Sequence, residues 1–211
     1  MSAGEKAYEF NVSIVIVNWK TPLLLARCLD SLKEDPQYDT FELIVVDNNS
    51  GDESVPMLKE KYPFVRLIEN KDNAGFSRGC NQAIEIARGR NVLLLNPDSV
   101  SVKDAISTMF KYLDDHPEVG AVGPRVLNPD GSLQLACRRA FPSVQASFFR
   151  LTYLSKLFPN HPAVSRYNMT FADPDQFLDV DALSGSCMML RRQVIDKIGL
   201  LDEDIFMFGE D

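Results

Sequence analysis

Four short polar clusters in this 211-residue chain carry residue types that could do chemistry: Asn18-Trp19, Asp47-Asn48-Asn49, residues 70–78 ending in Arg78, and Asn96-Pro97-Asp98. Each directly follows an apolar run. In VLLLNPDS, Pro97 has no N–H to donate and ends the run, which leaves a carboxylate just beyond it. Magnesium and manganese prefer hard oxygen ligands, commonly one or two carboxylates plus phosphate oxygens, so Asp98 is suited to bring a divalent ion to a nucleotide diphosphate. Asp98 would equally serve as a turn or N-cap residue. Each cluster alone reads as an ordinary turn; four in succession on one edge argue for a bound ligand. Trp19 fits either the core or a nucleotide base, and the acidic pair Glu210-Asp211 fits either a solvated terminus or catalytic work.

The elements needed to position these clusters are legible as alternating periods. Strands are expected at residues 12–17, 41–46, 65–68 and 91–95. Helices are expected at 22–33, where Pro22 suits the first turn, at 53–61, from the NKDNAGFSRG segment through 87, and at 103–113. This alternation predicts an α/β fold with a mostly parallel central sheet and helices on both faces. Ligands of such sheets bind beyond the carboxyl ends of the strands, where all four clusters fall. The second half reads differently. Residues 119–127 and 132–137 predict a hairpin around Asn128-Pro129-Asp130-Gly131. Residues 177–190 predict sheet interrupted at Ser184-Gly185-Ser186, followed by a short helix at 191–198. The whole is expected to be one domain.

Composition excludes several classes. A net charge of −8 and a pI near 4.8 work against broad contact with nucleic acid or anionic lipid. The four cysteines lie at least fifty positions apart, which gives neither a CxxC zinc spacing nor a disulfide framework and fits a reducing, cytosolic setting. No apolar stretch is long enough to cross a bilayer, and the first residues lack the plan of a signal peptide, so the expectation is a chain neither exported nor membrane-spanning. The first strand leads into NWKTPLL, not GxGxxG, and no Gly-Lys pair exists to build a P-loop. His116 and His161 are expected at the surface. The apolar positions of FFRLTYLSKLF, residues 148–158, run almost all round a helix. That pattern favours a packing helix over one that faces a membrane or acceptor.

In order and approximate spacing, VSIVIVNW, ELIVVDNNSGD, NAGFSRGCNQAI, VLLLNPDS, VDALSGSCMMLRR and FMFGED resemble the family 2 glycosyltransferases of GT-A fold, and most of all their bacterial rhamnosyltransferase-like branch. The resemblance implies a nucleotide-binding half at 1–115 and an acceptor and sugar half at 116–211, with a smaller hairpin region. It implies that Asn18 and Trp19 line the nucleotide base, that Asp47 hydrogen-bonds it, and that Arg78 lies near the donor. Asn96-Pro97-Asp98 matches the family's DxD motif with Asn in place of the first Asp, so Asp98 would hold Mg or Mn. Ser184, Gly185 and Ser186 match the loop beside the transferred sugar, and Glu210-Asp211 the pair whose aspartate is the catalytic base.

The implied reaction moves a sugar from a nucleotide-diphosphate donor to a hydroxyl of a glycan or lipid-linked glycan. The favoured donor is dTDP-rhamnose, with a UDP-sugar as the other option. The setting is cytoplasmic, with peripheral contact at the inner face of the plasma membrane as a further option. A sugar hydroxyl is a weak nucleophile, so a carboxylate must take its proton, and one base opposite the leaving group implies inversion. Family members continue past the ED motif, so a chain ending at Asp211 is expected to bind donor but transfer sugar poorly, as a binding remnant would. A nucleotidyltransferase would need a Gly-rich loop after the first strand, which NWKTP lacks.

Overall fold

The parallel strands at residues 10–18, 41–47 and 89–95 form from β-branched and leucine-rich runs that are buried on both faces, while the edge strand at 66–69 is only partly buried. The computed structural model describes residues 8–206. Its strands are β1 (Phe10–Asn18), β2 (Phe41–Asp47), β3 (Arg66–Glu69), β4 (Gly89–Leu95), β5 (Ala121–Val122), β6 (Arg138–Arg139), β7 (Ala182–Leu183) and β8 (Cys187–Arg191). Its α-helices are α1 (Pro22–Leu32), α2 (Ser54–Lys61), α3 (Phe76–Ile86), α4 (Ala105–Asp115), α5 (Val144–Leu151), α6 (Leu154–Leu157) and α7 (Arg192–Ile198). Two compact units result: one runs up to Val122 and resumes at Gly185, and the other is Gly123–Ser184.

The first unit holds a six-stranded sheet in the order β3-β2-β1-β4-β8-β5. The first four strands are parallel, and β8 lies antiparallel to both β4 and β5. Side chains alternate between two cores. Ile14, Ile16 and Leu93 join Leu25 and Leu29 of α1 and Ile106 of α4 on one face. Val15, Val92 and Leu94 join Cys80 and Ile84 of α3 and Ile195 of α7 on the other. The chain leaves β1 first toward β2 and β3 and then returns to its other side at β4. The point where strand order reverses is therefore the β1–β4 boundary, and sheets of this kind bind their ligands beyond the carboxyl ends of the strands at such a point.

At the opposite end of the strands a buried carboxylate joins four elements. Glu42 accepts hydrogen bonds from Ser13 Oγ (2.5 Å), Arg66 Nη1 (2.5 Å) and the Arg88 amide (2.8 Å) and side chain (3.0 Å). These residues come from β1, β2, β3 and the lead into β4. Burial pushes the Glu42 carboxyl up, but these donors outweigh it and hold it below the usual carboxylate range.

The second half departs from expectation. In place of a hairpin at 119–127 and 132–137, the chain forms the two-residue β5, a single bridge between Leu127 and Leu133, and a 3-10 turn at Leu135–Cys137. Gly123 and then Pro124, which has no ladder donor, follow β5 and keep it short. The turn itself forms as expected: the Asn128 amide bonds the Ser132 carbonyl (2.8 Å) and the Gly131 amide the Asn128 carbonyl (2.9 Å). Residues 177–190 are interrupted at Ser184-Gly185-Ser186 as expected, but the two pieces join different sheets: β7 pairs with β6 in the second unit, and β8 lies in the first. The expected helix at 148–158 is divided into α5 and α6 by Tyr153, whose φ of 58° is left-handed.

Candidate functional site

The carboxyl ends of β1 and β2 are locked by a side-chain network. Asn18 and Asp47 are register partners at the last rung, both fully buried. Asn18 Nδ2 donates to Asp47 Oδ1 (2.8 Å) and to Ser50 Oγ (3.2 Å), and Asn18 Oδ1 accepts from Thr21 Oγ1 (2.7 Å). Asp47 also accepts from the Ser50 amide (2.9 Å) and hydroxyl (2.6 Å). These bonds brace the turn with two donors on Oδ1 and one on Oδ2, so Oδ2 can still accept another. Ser50 Oγ accepts the Lys20 amide (2.9 Å) as well, which joins the two loops. Lys20 and Asn49 both adopt left-handed φ, near 57° and 55°. Trp19, beside them, is half exposed with the Lys20 ammonium 5.1 Å from its ring centroid, so it is not a core residue.

A second network of amides orders the segment after β3. Asn48 Nδ2 donates to Asn73 Oδ1 (3.2 Å) and the Gly75 carbonyl (3.0 Å), and Asn70 Nδ2 to Asn48 Oδ1 (2.8 Å) and Gln82 Oε1 (2.9 Å). These bonds fix the start of α3, whose first turn presents Arg78. Arg78 is exposed and has no ion-pair partner among the described residues. The segment 201–206 is fastened to the same helix. Asn81 donates to the Leu201 carbonyl and Glu203 Oε1 (both 2.9 Å) and accepts the Leu201 amide (3.0 Å). The Phe76 amide and Ser77 hydroxyl bond the carbonyls of Phe206 (2.9 Å) and Ile205 (3.0 Å). At Gly75, φ is +83° and a Cβ would stand 2.7 Å from the Phe206 carbonyl oxygen, so only glycine admits this approach.

The β4 end meets β8. The Asn96 amide donates to the Ser186 carbonyl (2.9 Å), one rung beyond the Leu95–Cys187 pair, which sets the Asn96-Pro97-Asp98 turn beside Gly185 and Ser186. Ser184 is the last residue of the second unit. Cys28 Sγ reaches the Asn96 carbonyl at 3.7 Å beneath the turn. Its thiol is pushed up to about 12, first by burial and then by the negative potential of Cys187 and Asp98, and burial pushes Cys187 to about 12 as well. Asp98 itself is exposed, with no ion pair among the described residues. A single exposed carboxylate held at a strand end fits a divalent ion that takes its remaining ligands from phosphate and water. No group of three His, Cys, Asp or Glu side chains with metal-binding spacing exists among the described residues.

The structure therefore brings Asn18, Asp47, Arg78, Asn96, Asp98, Gly185 and Ser186 into one unit, on loops that follow the sheet or precede β8. Glu210 and Asp211 lie outside the described residues. Sequence reasoning missed the service of Ser50, Asn48, Asn70 and Asn81; the density of Asx residues in DNNS and NKDN was the available signal. A cavity of about 650 Å³ lined by Glu9, Arg88, Arg192 and Asp196 opens at the amino edge of the sheet, away from these loops. His161 is exposed, whereas His116 is half buried and stacks on Tyr112 with ring centroids 4.1 Å apart.

The family model for Glycosyl transferase family 2 matches residues 13–199. An N-acetylglucosaminyl-diphospho-decaprenol L-rhamnosyltransferase of Mycobacterium tuberculosis is 28% identical over 94% of this chain and 67% of its own length. A mannosyltransferase of Pyrobaculum calidifontis, solved with GDP-Man and Mn2+, superposes with a TM-score of 0.63 at 20% identity, over 95% of this chain and 52% of its own. TarS 1–349 of S. aureus, solved with UDP, gives 0.66 at 16%, over 95% and 53%. The chain spans about half the length of these solved chains, and the likeness shows a GT-A fold.

Proposed function

The chain belongs to glycosyltransferase family 2, and on that premise we propose that it moves a sugar, with rhamnose favoured, from a nucleotide-diphosphate donor to a hydroxyl of a glycan or lipid-linked glycan, inverting the anomeric carbon. The observation that carries this reading is the backbone bond from Asn96 to Ser186. It sets the turn that carries the exposed Asp98 beside Gly185-Ser186 at the carboxyl end of β4, the strand that borders the order reversal. The relative from Mycobacterium tuberculosis, named as a rhamnosyltransferase acting on a diphospho-decaprenol acceptor, supports the choice of sugar and acceptor.

In this reading the Asn18–Asp47–Ser50 network holds the loop on which Trp19 packs against the nucleotide base. Arg78 offsets diphosphate charge from the first turn of α3. Asp98 holds a divalent ion, which when bound would stabilise the departing diphosphate. Ser184, Gly185 and Ser186 shape the space for the sugar ring, with Glu210 on the acceptor side. Asp211 takes the proton from the acceptor hydroxyl as its oxygen bonds the anomeric carbon and the bond to the diphosphate breaks on the far side. A single displacement of this kind inverts configuration.

The test is thermal stabilisation by dTDP, UDP and GDP, each with and without Mn2+, on the wild type and on Asp98→Ala. Stabilisation by dTDP that requires Mn2+ and disappears in the variant is the expected result. Equal stabilisation of both proteins would remove Asp98 from the donor site.

A further inference from the structure

We propose that the second unit docks on the surface of an anionic lipid bilayer through the outer face of α5 and α6. This inference stands apart from the sugar-transfer reading, since it concerns binding and needs no turnover. Val144, Phe148 and Leu151 are spaced i, i+4 and i+7 and share one face of α5, yet Val144 is 91% and Leu151 79% exposed. The opposite face carries the buried Ala146. The helix therefore turns its apolar stripe outward, the reverse of what a water-facing helix does. Leu157 on α6 is 70% exposed, and Phe141, Tyr153 and Phe158 beside these helices are exposed too.

Charge selects the occupant. The chain carries −8 overall, but from Gly131 to Ala172 it contains no Asp or Glu, while Arg138, Arg139, Arg150, Lys156 and Arg166 all fall there. Of these, Arg150, Lys156 and Arg166 are exposed. Arg150 lies over the Tyr167 ring and Lys156 over the Tyr153 ring, at 5.1 and 5.0 Å. An apolar and aromatic stripe bordered by long basic side chains matches a bilayer interface, where rings sit at headgroup depth and Lys and Arg reach lipid phosphates. A second copy of the same face would instead set like charges against each other.

The test is co-sedimentation of the 211-residue protein with vesicles of phosphatidylglycerol and phosphatidylethanolamine, and with phosphatidylcholine vesicles, at low and high salt. Binding to the anionic vesicles that weakens with salt is expected. The Phe148→Ser, Leu151→Ser double variant should lose about tenfold in partitioning, and Arg150→Glu with Lys156→Glu should abolish the preference for anionic lipid. Leu23→Ser, at an 84% exposed leucine of the other unit, should change nothing. Unchanged thermal melts of all variants would confirm that they fold. The proposal is overturned by absent binding to anionic vesicles, by binding that survives the double variant, or by equal loss with Leu23→Ser. It is also overturned by a dimer that the double variant dissolves without any vesicle binding.

Discussion

Asn18 spends both ends of its amide on Asp47, Ser50 and Thr21, so its loss strands buried acceptors and donors together. Asn18→Ala should destabilise the protein by about 2 kcal/mol, read from urea unfolding, since leaving a buried polar group unpaired costs about that much. Asn18→Asp should cost more, because it sets a second carboxylate at the position that now donates to Asp47. At the neighbouring turn, Cys28 and Cys187 are pushed up to about 12, so almost no thiolate exists near pH 8. Alkylation of both in the native state should run about a thousandfold slower than for a free cysteine, by mass spectrometry of labelled peptides. Labelling of Cys28 at the free rate would mean that the Asn96 turn opens.

The elements that position these residues can be tested separately from the residues. Gly75 and Gly131 share a φ of +83°, but a Cβ would meet Phe206 at Gly75 and nothing within 4 Å at Gly131. Gly131→Ala should cost about 1 kcal/mol for backbone conformation alone. Gly75→Ala should cost more and should also speed hydrogen exchange at the Phe76 amide, which bonds the Phe206 carbonyl. Glu42 joins four strand ends, and its carboxyl is held below the usual range. A depressed folded value means that the stabilisation is fully present above the unfolded pKa and is lost as pH falls through the folded one. Glu42→Gln should therefore lower stability at pH 7 by about 1.5–3 kcal/mol, the scale of hydrogen bonds to a charged group, with the deficit narrowing in acid, as urea midpoints across pH would show. The parallel strands were legible because VSIVIV, FELIVV and VLLL are long, apolar and buried on both faces. The break between β7 and β8 was legible at SGS in FLDVDALSGSCMML, but their separate sheets were not, because which strand each piece joins depends on partners more than forty residues away.

For the whole molecule, the four Asx-rich clusters pointed to one sheet edge because the carboxyl-end rule converts strand order into position. Asp98 and Arg78 were assigned to that edge this way. The Asn81 clasp on residues 201–206 could not be, since nothing in NQAI or LLDE reveals a contact across 120 positions. Average charge was equally uninformative about the second unit. A chain-wide −8 conceals a stretch without acids, and exposure had to be seen before α5 could be read as an outward face.

The position of β8 also bears on how the protein is made. It lies between β4 and β5 in the sheet, but synthesis reaches it only after the whole of Gly123–Ser184 has been made. Until then the nascent chain can pair β3, β2, β1 and β4, while the Val92–Leu95 edge remains open and apolar. Such an edge is a template for mispairing with another chain. Translation that pauses before residue 187 would lengthen that window, and chaperone occupancy of the nascent protein should be greatest there.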